Sequence, residues 1–175
     1  MSTQTSSELN HLRQQVMALQ CDNARLTHEA ALFHERIQEA ERYRFLFETM
    51  EEGFCVIQFI DGPNGPMSDY VHLMANAAYS RHAGLPDVVG RTLRQVIPDE
   101  AEVWLKRFGD AARSGEPVYF EHDLYATDRC LALSALRLEP AEQRMVAVIF
   151  RDVTARKRAE NALQRLNEQL GQRVN

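Results

Sequence analysis

The sequence lacks any apolar run approaching the roughly 20 residues of a membrane-spanning helix. Its polar start, residues 1–5, also lacks the apolar centre of a signal peptide. It has no excess of positive charge, because 20 lysines and arginines face 25 aspartates and glutamates, a formal net charge of −5. This balance argues against a nucleic-acid-binding surface. We therefore expect a cytoplasmic location, no membrane insertion within this chain and no nucleic-acid partner.

Cysteine is scarce, and its three copies, Cys21, Cys55 and Cys130, form neither a CxxC pair nor a zinc-ligand spacing. Cys55 and Cys130 stand in apolar, strand-like runs, where a buried and unreactive thiol is the usual state. The chain also has no P-loop, no GxGxxG, no HExxH and no GxSxG motif. These absences predict no metal site, no catalytic residue and no enzymatic activity in this chain.

Glycine and proline are missing from residues 7–50, where apolar residues recur at steps of three and four. This spacing is a heptad repeat sustained over about five repeats, which predicts a coiled coil. A lone Asn23 at an a position favours a parallel, in-register dimer. The alternative is a long helix packed on its own domain. The predicted dimer seam consists of Leu9, Leu12, Val16, Leu19, Asn23, Leu26, Phe33 and Ile37.

From Gly53 onward the pattern changes to short segments rich in β-forming residues, punctuated by turn signals such as residues 61–66. Apolar residues occupy both faces of the last three predicted strands, so we expect the domain's helices to cover one face and the flanking helices or a second subunit to cover the other. The predicted strands are 54–60, 70–75, 118–125, 130–138 and 144–153, with helices at 76–82, at 99–114 and after Thr154.

Three stretches in this order resemble the PAS family. Asn-Ala-Ala-Tyr at 76–79 resembles the stretch after its second strand, and residues 115–121 resemble the turn into its third strand. Residues 151–160 resemble the Asp-Val-Thr ending and the basic output helix that follows. The resemblance implies an α+β PAS fold: a five-stranded antiparallel sheet with short helices and one long helix, flanked by coiled-coil helices. The expected domains are an N-terminal coiled-coil helix at 1–50, the PAS domain at 51–153 and an output helix or coiled-coil linker at 154–175.

The junction at Asp152 and Thr154 is the predicted signal relay. Thr154 can accept from free amides at the start of the following helix, and Asp152 places negative charge there. Residues 166–174 resemble linkers that precede the phosphotransfer region of sensor histidine kinases, although similar linkers lead to diguanylate cyclases. The resemblance implies a sensory, homodimeric module of a two-component system, with a C-terminal effector domain as its partner.

A small-molecule pocket between the long helix and the sheet is a further expectation from the resemblance. No cysteine occurs at 91–95, which argues against flavin adduct chemistry, and no histidine occurs at 99–114, which argues against an axial-histidine haem. The cofactor stays open, and a ligand-free scaffold for dimerisation is the alternative. The candidate pocket residues are His72, Asn76, Tyr79, Trp104, Phe108 and His122.

Overall fold

The computed structural model describes the backbone of residues 2–173 and the side chains of residues 9–170. Met1 and residues 174–175, which the predicted domain limits include, lie outside the described residues. The chain divides into two units, Met1–Leu46 and Phe47–Asn175. Within the described part, no helix is both long and apolar enough to cross a membrane.

A single helix, α1, spans Ser2–Thr49. No glycine or proline interrupts it, and the predicted N-terminal helix is therefore confirmed as a helix. Its predicted seam residues are exposed; for example, Leu19 is 68% and Phe33 is 66% accessible. A long row of exposed apolar side chains is typical of an interaction surface. The coiled coil itself stays a prediction.

Five antiparallel strands form one sheet in the order β2-β1-β5-β4-β3. The central strand β5 pairs with β1 through, for example, Val56 and Ala147, and with β4 through Leu133 and Phe150. The strands are β1 at Gly53–Gly62, β2 at Gly65–Ala75, β3 at Val118–Leu124, β4 at Arg129–Arg137 and β5 at Met145–Asp152.

The helices between β2 and β3 pack on one face of this sheet. The longest of them buries Trp104, Leu105 and Phe108 in the core. The predicted fold class is confirmed: an α+β PAS fold with a five-stranded antiparallel sheet, short helices and one longer helix. The helices are α2 at Ala77–Ala83, α3 at Leu93–Val96, α4 at Ala101–Ser114 and the C-terminal α5 at Thr154–Arg173; short 3-10 turns occupy Pro98–Glu100, Tyr125–Thr127 and Ala141–Gln143.

The first hairpin is longer than predicted. The predicted turn at 61–66 lies within the ladder, because Gly62 pairs with Gly65 and β2 begins five residues before Tyr70. The Ser68 hydroxyl accepts from the amides of Gly62 and Asn64 at 3.1 and 3.2 Å, which stabilises this tight connection. Local turn residues therefore mark the reversal of the chain correctly but misplace the strand start.

The sheet face opposite the helices carries exposed apolar side chains. Tyr119 is 77% and Ile149 is 40% accessible, and Leu136 lies beside them. The strand pattern thus has apolar residues on both faces, as the sequence indicates. The cover of this second face by a flanking helix or a second subunit stays a prediction.

Replacing Gly53 with alanine is expected to destabilise the domain by about 1–3 kcal/mol. A Cβ at Gly53 would lie 2.6 Å from Cζ and 2.7 Å from Cε2 of the paired Phe150 ring, which must then shift. Gly109→Ala is the matched control. The atoms nearest to its Cβ would belong to the flexible guanidinium of Arg113, the first at 3.0 Å, and α4 would gain about 0.5–1 kcal/mol of helix propensity. Urea unfolding measures both, and equal shifts would contradict this account.

Candidate functional site

A cavity of about 40 Å³ lies between α4 and the inner face of the sheet. Its walls are mostly apolar, and its volume corresponds to a few water molecules at roughly 10–15 Å³ each. Of the six candidate pocket residues, His72, Tyr79, Trp104 and Phe108 line it. The cavity as it stands is therefore far smaller than a flavin or a haem.

His72 supplies the polar centre of the cavity wall and is 2% accessible. Its Nδ1 lies 3.1 Å from the Arg91 carbonyl oxygen, and its Nε2 lies 3.2 Å from the Tyr79 hydroxyl. A carbonyl can only accept, which assigns the proton to Nδ1 and lets Nε2 accept from Tyr79. Burial lowers the pKa of His72, although its bond to Arg91 opposes this shift. A neutral imidazole therefore satisfies every bond that the site offers it.

The unfolding free energy is expected to fall as the pH drops below about 6.5, the pKa of an unfolded histidine. The folded pKa of His72 is lowered, so the unfolded chain takes up its proton first and stability decreases towards acid until the folded pKa is reached. The change is at most about 1.4 kcal/mol for each pH unit. In His72→Gln, the amide can accept from Tyr79 without titrating. Urea unfolding between about pH 7.5 and about pH 5.5 should show a steeper loss in the unaltered chain, and parallel curves would contradict this prediction.

Trp104 forms one wall of the cavity and is anchored by a hydrogen bond. Its indole Nε1 donates to Glu100 at 3.2 Å, and the same carboxylate accepts from the Ala126 amide at 2.8 Å. His122 packs edge-on against the indole, with ring centroids 5.1 Å apart, but does not line the cavity. Trp104 and His122 thus form part of the aromatic packing between α4 and β3.

Tyr70 and Cys55 also line the cavity, although sequence reasoning missed them. Tyr70 stands two residues before His72 on β2, so strand alternation places both on the same face. Burial raises the pKa of Tyr70 far above its ordinary range and that of Cys55 to about 12. The Cys55 thiol is therefore unreactive, since the thiolate is the nucleophilic form. Alternation along β1 and β2 was the signal that could have found both residues.

Asn76 lies outside the cavity wall, at the junction between α1 and the domain. Its Oδ1 accepts from the amides of Phe54 at 2.9 Å and Tyr79 at 3.0 Å, which makes it the N-cap of α2. Its Nδ2 donates to the carbonyls of Phe47 at 3.1 Å and Glu52 at 3.0 Å. A single buried amide thus joins the last turn of α1, the following linker, β1 and α2.

Asp152 and Thr154 meet at the start of α5, where the Asp152 carboxylate supplies the predicted negative charge and, in place of the Thr154 hydroxyl, accepts from the first amide of the helix. The Asp152 carboxylate accepts from the Thr154 amide at 2.9 Å and from its hydroxyl. The Thr154 oxygen accepts from the Cys130 amide of β4 at 2.9 Å instead of from an amide of α5. Partial burial acts to raise the pKa of Asp152, but these hydrogen bonds and the Arg129 charge lower it overall. The junction thereby fastens the first residue of α5 to two strands.

The basic first turns of α5 are paired with acidic residues of the domain. Glu121 of β3 accepts from both Arg156 and Lys157, and hydrogen bonds from these two lower its pKa. Arg158 reaches Asp128 at 2.7 Å. Exposed ion pairs contribute little stability individually. Their placement nevertheless shows that the first turns of α5 contact the sheet edge.

No protein-family model and no curated protein matches the chain. Solved structures do resemble it. A sensory box sensor histidine kinase from Vibrio cholerae shares 13% identity at a TM-score of 0.44, over 72% of this chain and 95% of that one. The PAS domain of an HTR-like protein from Haloarcula marismortui shares 19% at 0.47, over 70% and 98%. The PAS domain of BvgS from Bordetella pertussis shares 21% at 0.45, over 75% and 98%.

These three likenesses combine identities of at most 21% with TM-scores below 0.5. Similarity at this level identifies neither a ligand nor an activity for this chain. The fold assignment rests on the strand order, strand pairing and helix placement described above.

Proposed function

We propose that this chain is the sensory and dimerisation module of a cytoplasmic signal-transduction protein of the sensor histidine kinase type. In this proposal, α1 forms a parallel coiled coil with a second copy, and α5 leads to a C-terminal effector domain. The chain relays a signal and catalyses nothing itself. The observation that supports this most directly is that α2 borders the cavity and is also bonded to the end of α1 through Asn76.

Two series of contacts connect the cavity with the end of α1 and with the start of α5. Tyr79 borders the cavity and lies one turn after Asn76, which binds the Phe47 carbonyl at the end of α1. Tyr79 also packs edge-on against Phe150, with centroids 5.1 Å apart. Phe150 lies on β5, two residues before Asp152 and four residues before α5 begins at Thr154. A shift of Tyr79 would thus bias both helices between two arrangements, which is the requirement for a relay.

The ligand-free scaffold is the second candidate, and the small cavity is the observation that favours it. The polar residues His72 and Tyr79 already bond each other, and a ligand larger than a few water molecules requires the cavity walls to move apart. Native mass spectrometry with an absorption spectrum on the same sample distinguishes the two. A dimer with extra mass or a chromophore supports ligand sensing, and a dimer of bare chains supports the scaffold or relay without a ligand.

The relay is tested by fusing the full chain, in heptad register, to the phosphotransfer and catalytic regions of a characterised histidine kinase. The double variant Asp152→Ala and Thr154→Ala removes the bonds that hold the start of α5 to Cys130 and β5. We expect the rate of labelled-phosphate incorporation from ATP to change by about threefold or more, as expected from the loss of hydrogen bonds worth about 1 kcal/mol each.

Glu168→Ala, an exposed substitution far along α5, is the matched control. Sedimentation and urea unfolding must show that the double variant stays folded and dimeric. An unchanged phosphorylation rate in a folded dimer would refute the relay. A second fusion, to a diguanylate cyclase domain, tests whether the same double variant changes the activity of the alternative effector.

A further inference from the structure

His82 on α2 bridges the two linkers that connect the domain to its helices. Its Nε2 lies 2.7 Å from the Glu51 carbonyl oxygen, and its Nδ1 lies 3.0 Å from the Asp152 amide nitrogen. Glu51 follows the end of α1 by two residues, and Asp152 ends β5 just before α5. One imidazole therefore touches the backbone of both junctions.

Only one protonation state satisfies both bonds. A backbone carbonyl can only accept and a backbone amide can only donate. Nε2 must therefore carry the proton that bonds Glu51, while Nδ1 must be bare to accept from Asp152. Protonation would put an N–H on Nδ1 that faces the Asp152 N–H, two donors without an acceptor between them. The bond to Glu51 survives protonation, but the bond to Asp152 does not.

The ring is held in place by the surrounding elements. Arg129 of β4 donates to the carbonyls of Arg81 and His82, and the Thr127 hydroxyl donates to the Ala83 carbonyl at 2.7 Å. These bonds fix the last turn of α2 and hence the His82 backbone. The charged groups placed beside His82 are the Arg129 guanidinium from β4 and the Asp152 carboxylate from β5; Glu51 contributes its carbonyl.

We propose that His82 is a proton-sensitive positioning residue that couples the two linkers. In its neutral form it ties the end of β5 to the linker after α1; on taking up a proton from solvent at Nδ1, it releases Asp152 while keeping Glu51. The start of α5 then loses the attachment that His82 provides through Asp152. It stays attached through the bond between Asp152 and Thr154 and the bond between Thr154 and Cys130. A role of this change in signalling rests on the proposed function, whereas the loss of the bond between His82 and Asp152 does not.

Amide hydrogen exchange of Asp152, resolved by NMR on the full chain, tests this coupling. Between about pH 8 and about pH 5, the range in which histidine titrates, exchange rates are corrected for their intrinsic pH dependence. We expect protection of the Asp152 amide to fall about fivefold or more as the pH is lowered through this range, as the loss of one hydrogen bond predicts. Protection of Val148, in the middle of β5, should not follow this titration.

Two variants distinguish the bond to the Glu51 carbonyl from the bond to the Asp152 amide. In His82→Asn, the side-chain oxygen can occupy the place of Nδ1, so Asp152 should stay protected without any pH dependence. In His82→Gln, the terminal amide reaches the place of Nε2, so Glu51 stays bonded and Asp152 is unprotected at every pH. His28→Gln, which removes an exposed imidazole of α1, should behave like the unaltered chain.

Persistent pH dependence at Asp152 in His82→Asn, or full protection in His82→Gln, would overturn the proposal. Because the readout is a local amide in the isolated chain, it is independent of any effector. The coupling can therefore fail while the kinase fusion still responds, and the fusion can fail while the coupling holds.

Discussion

Asn76→Ala is expected to lower the free energy of unfolding by about 3–5 kcal/mol, the range of the most damaging single substitutions. The substitution removes two accepted and two donated hydrogen bonds from a side chain that is 3% accessible. Each buried partner left without a bond costs about 1–3 kcal/mol, partly recovered where water can enter. The bond from the Tyr79 amide is also the N-cap of α2, and its loss accounts for about 1 kcal/mol of this total.

Urea unfolding measures this loss, with Asn161→Ala on the exposed face of α5 as the matched control. Asn76→Asp is the informative second variant. It keeps the oxygen that accepts from Phe54 and Tyr79 but presents a negative oxygen to the carbonyls of Phe47 and Glu52. We expect Asn76→Asp to be destabilised chiefly at the α1 junction. A change below about 1 kcal/mol for Asn76→Ala would show that the junction is not built on this amide.

Changing Leu19 and Leu26 together to glutamate is expected to convert a dimer of this chain into monomers. Both occupy d positions of the predicted seam and are exposed in the single chain. Burying one leucine contributes about 1.5–3 kcal/mol, and a dimer loses four of them. The dissociation constant should rise by at least about ten-thousandfold, corresponding to roughly 6 kcal/mol. Sedimentation equilibrium over a range of concentrations measures the shift.

Met17→Glu is the matched control, because Met17 is as exposed as Leu19 but lies at a b position outside the seam. It adds one negative charge to the same helix, where the double variant adds two, and should leave the dimer intact. A dimer that survives the double substitution would show that the dimer contact lies elsewhere. It would refute the prediction that α1 forms a coiled coil through this seam. A dimer lost equally in both variants would attribute the effect to charge alone.

Much of the fold could be predicted because local chemistry determines it. Asn76 and Gly84 bound α2, and Gly115 ends α4 with φ at +75°, a conformation that favours glycine. The C-terminal helix begins at Thr154 as the Asp-Val-Thr motif predicts. The limits of β2 could not be predicted in the same way, because the hairpin depends on the Ser68 hydroxyl binding amides across the turn.

The candidate site was harder to predict, because the roles of its polar residues depend on tertiary contacts. Asn76 and His72 are close in sequence, yet one binds backbone groups from 47 to 79 and the other faces the cavity. His82 carried no sequence signal, since its two partners are backbone atoms 31 and 70 residues away. Backbone groups look alike in every sequence, so only the folded arrangement shows which side chain bridges them.

The bridge at His82 also bears on how the domain is placed within a longer protein. Because one imidazole reaches the backbone at both Glu51 and Asp152, the chain enters and leaves the globular unit at nearly the same point. A domain whose ends are adjacent can be inserted into another chain, removed from it or duplicated without separating the segments that flank it. Recombination of this kind would exchange the globular unit and leave the flanking segments unchanged.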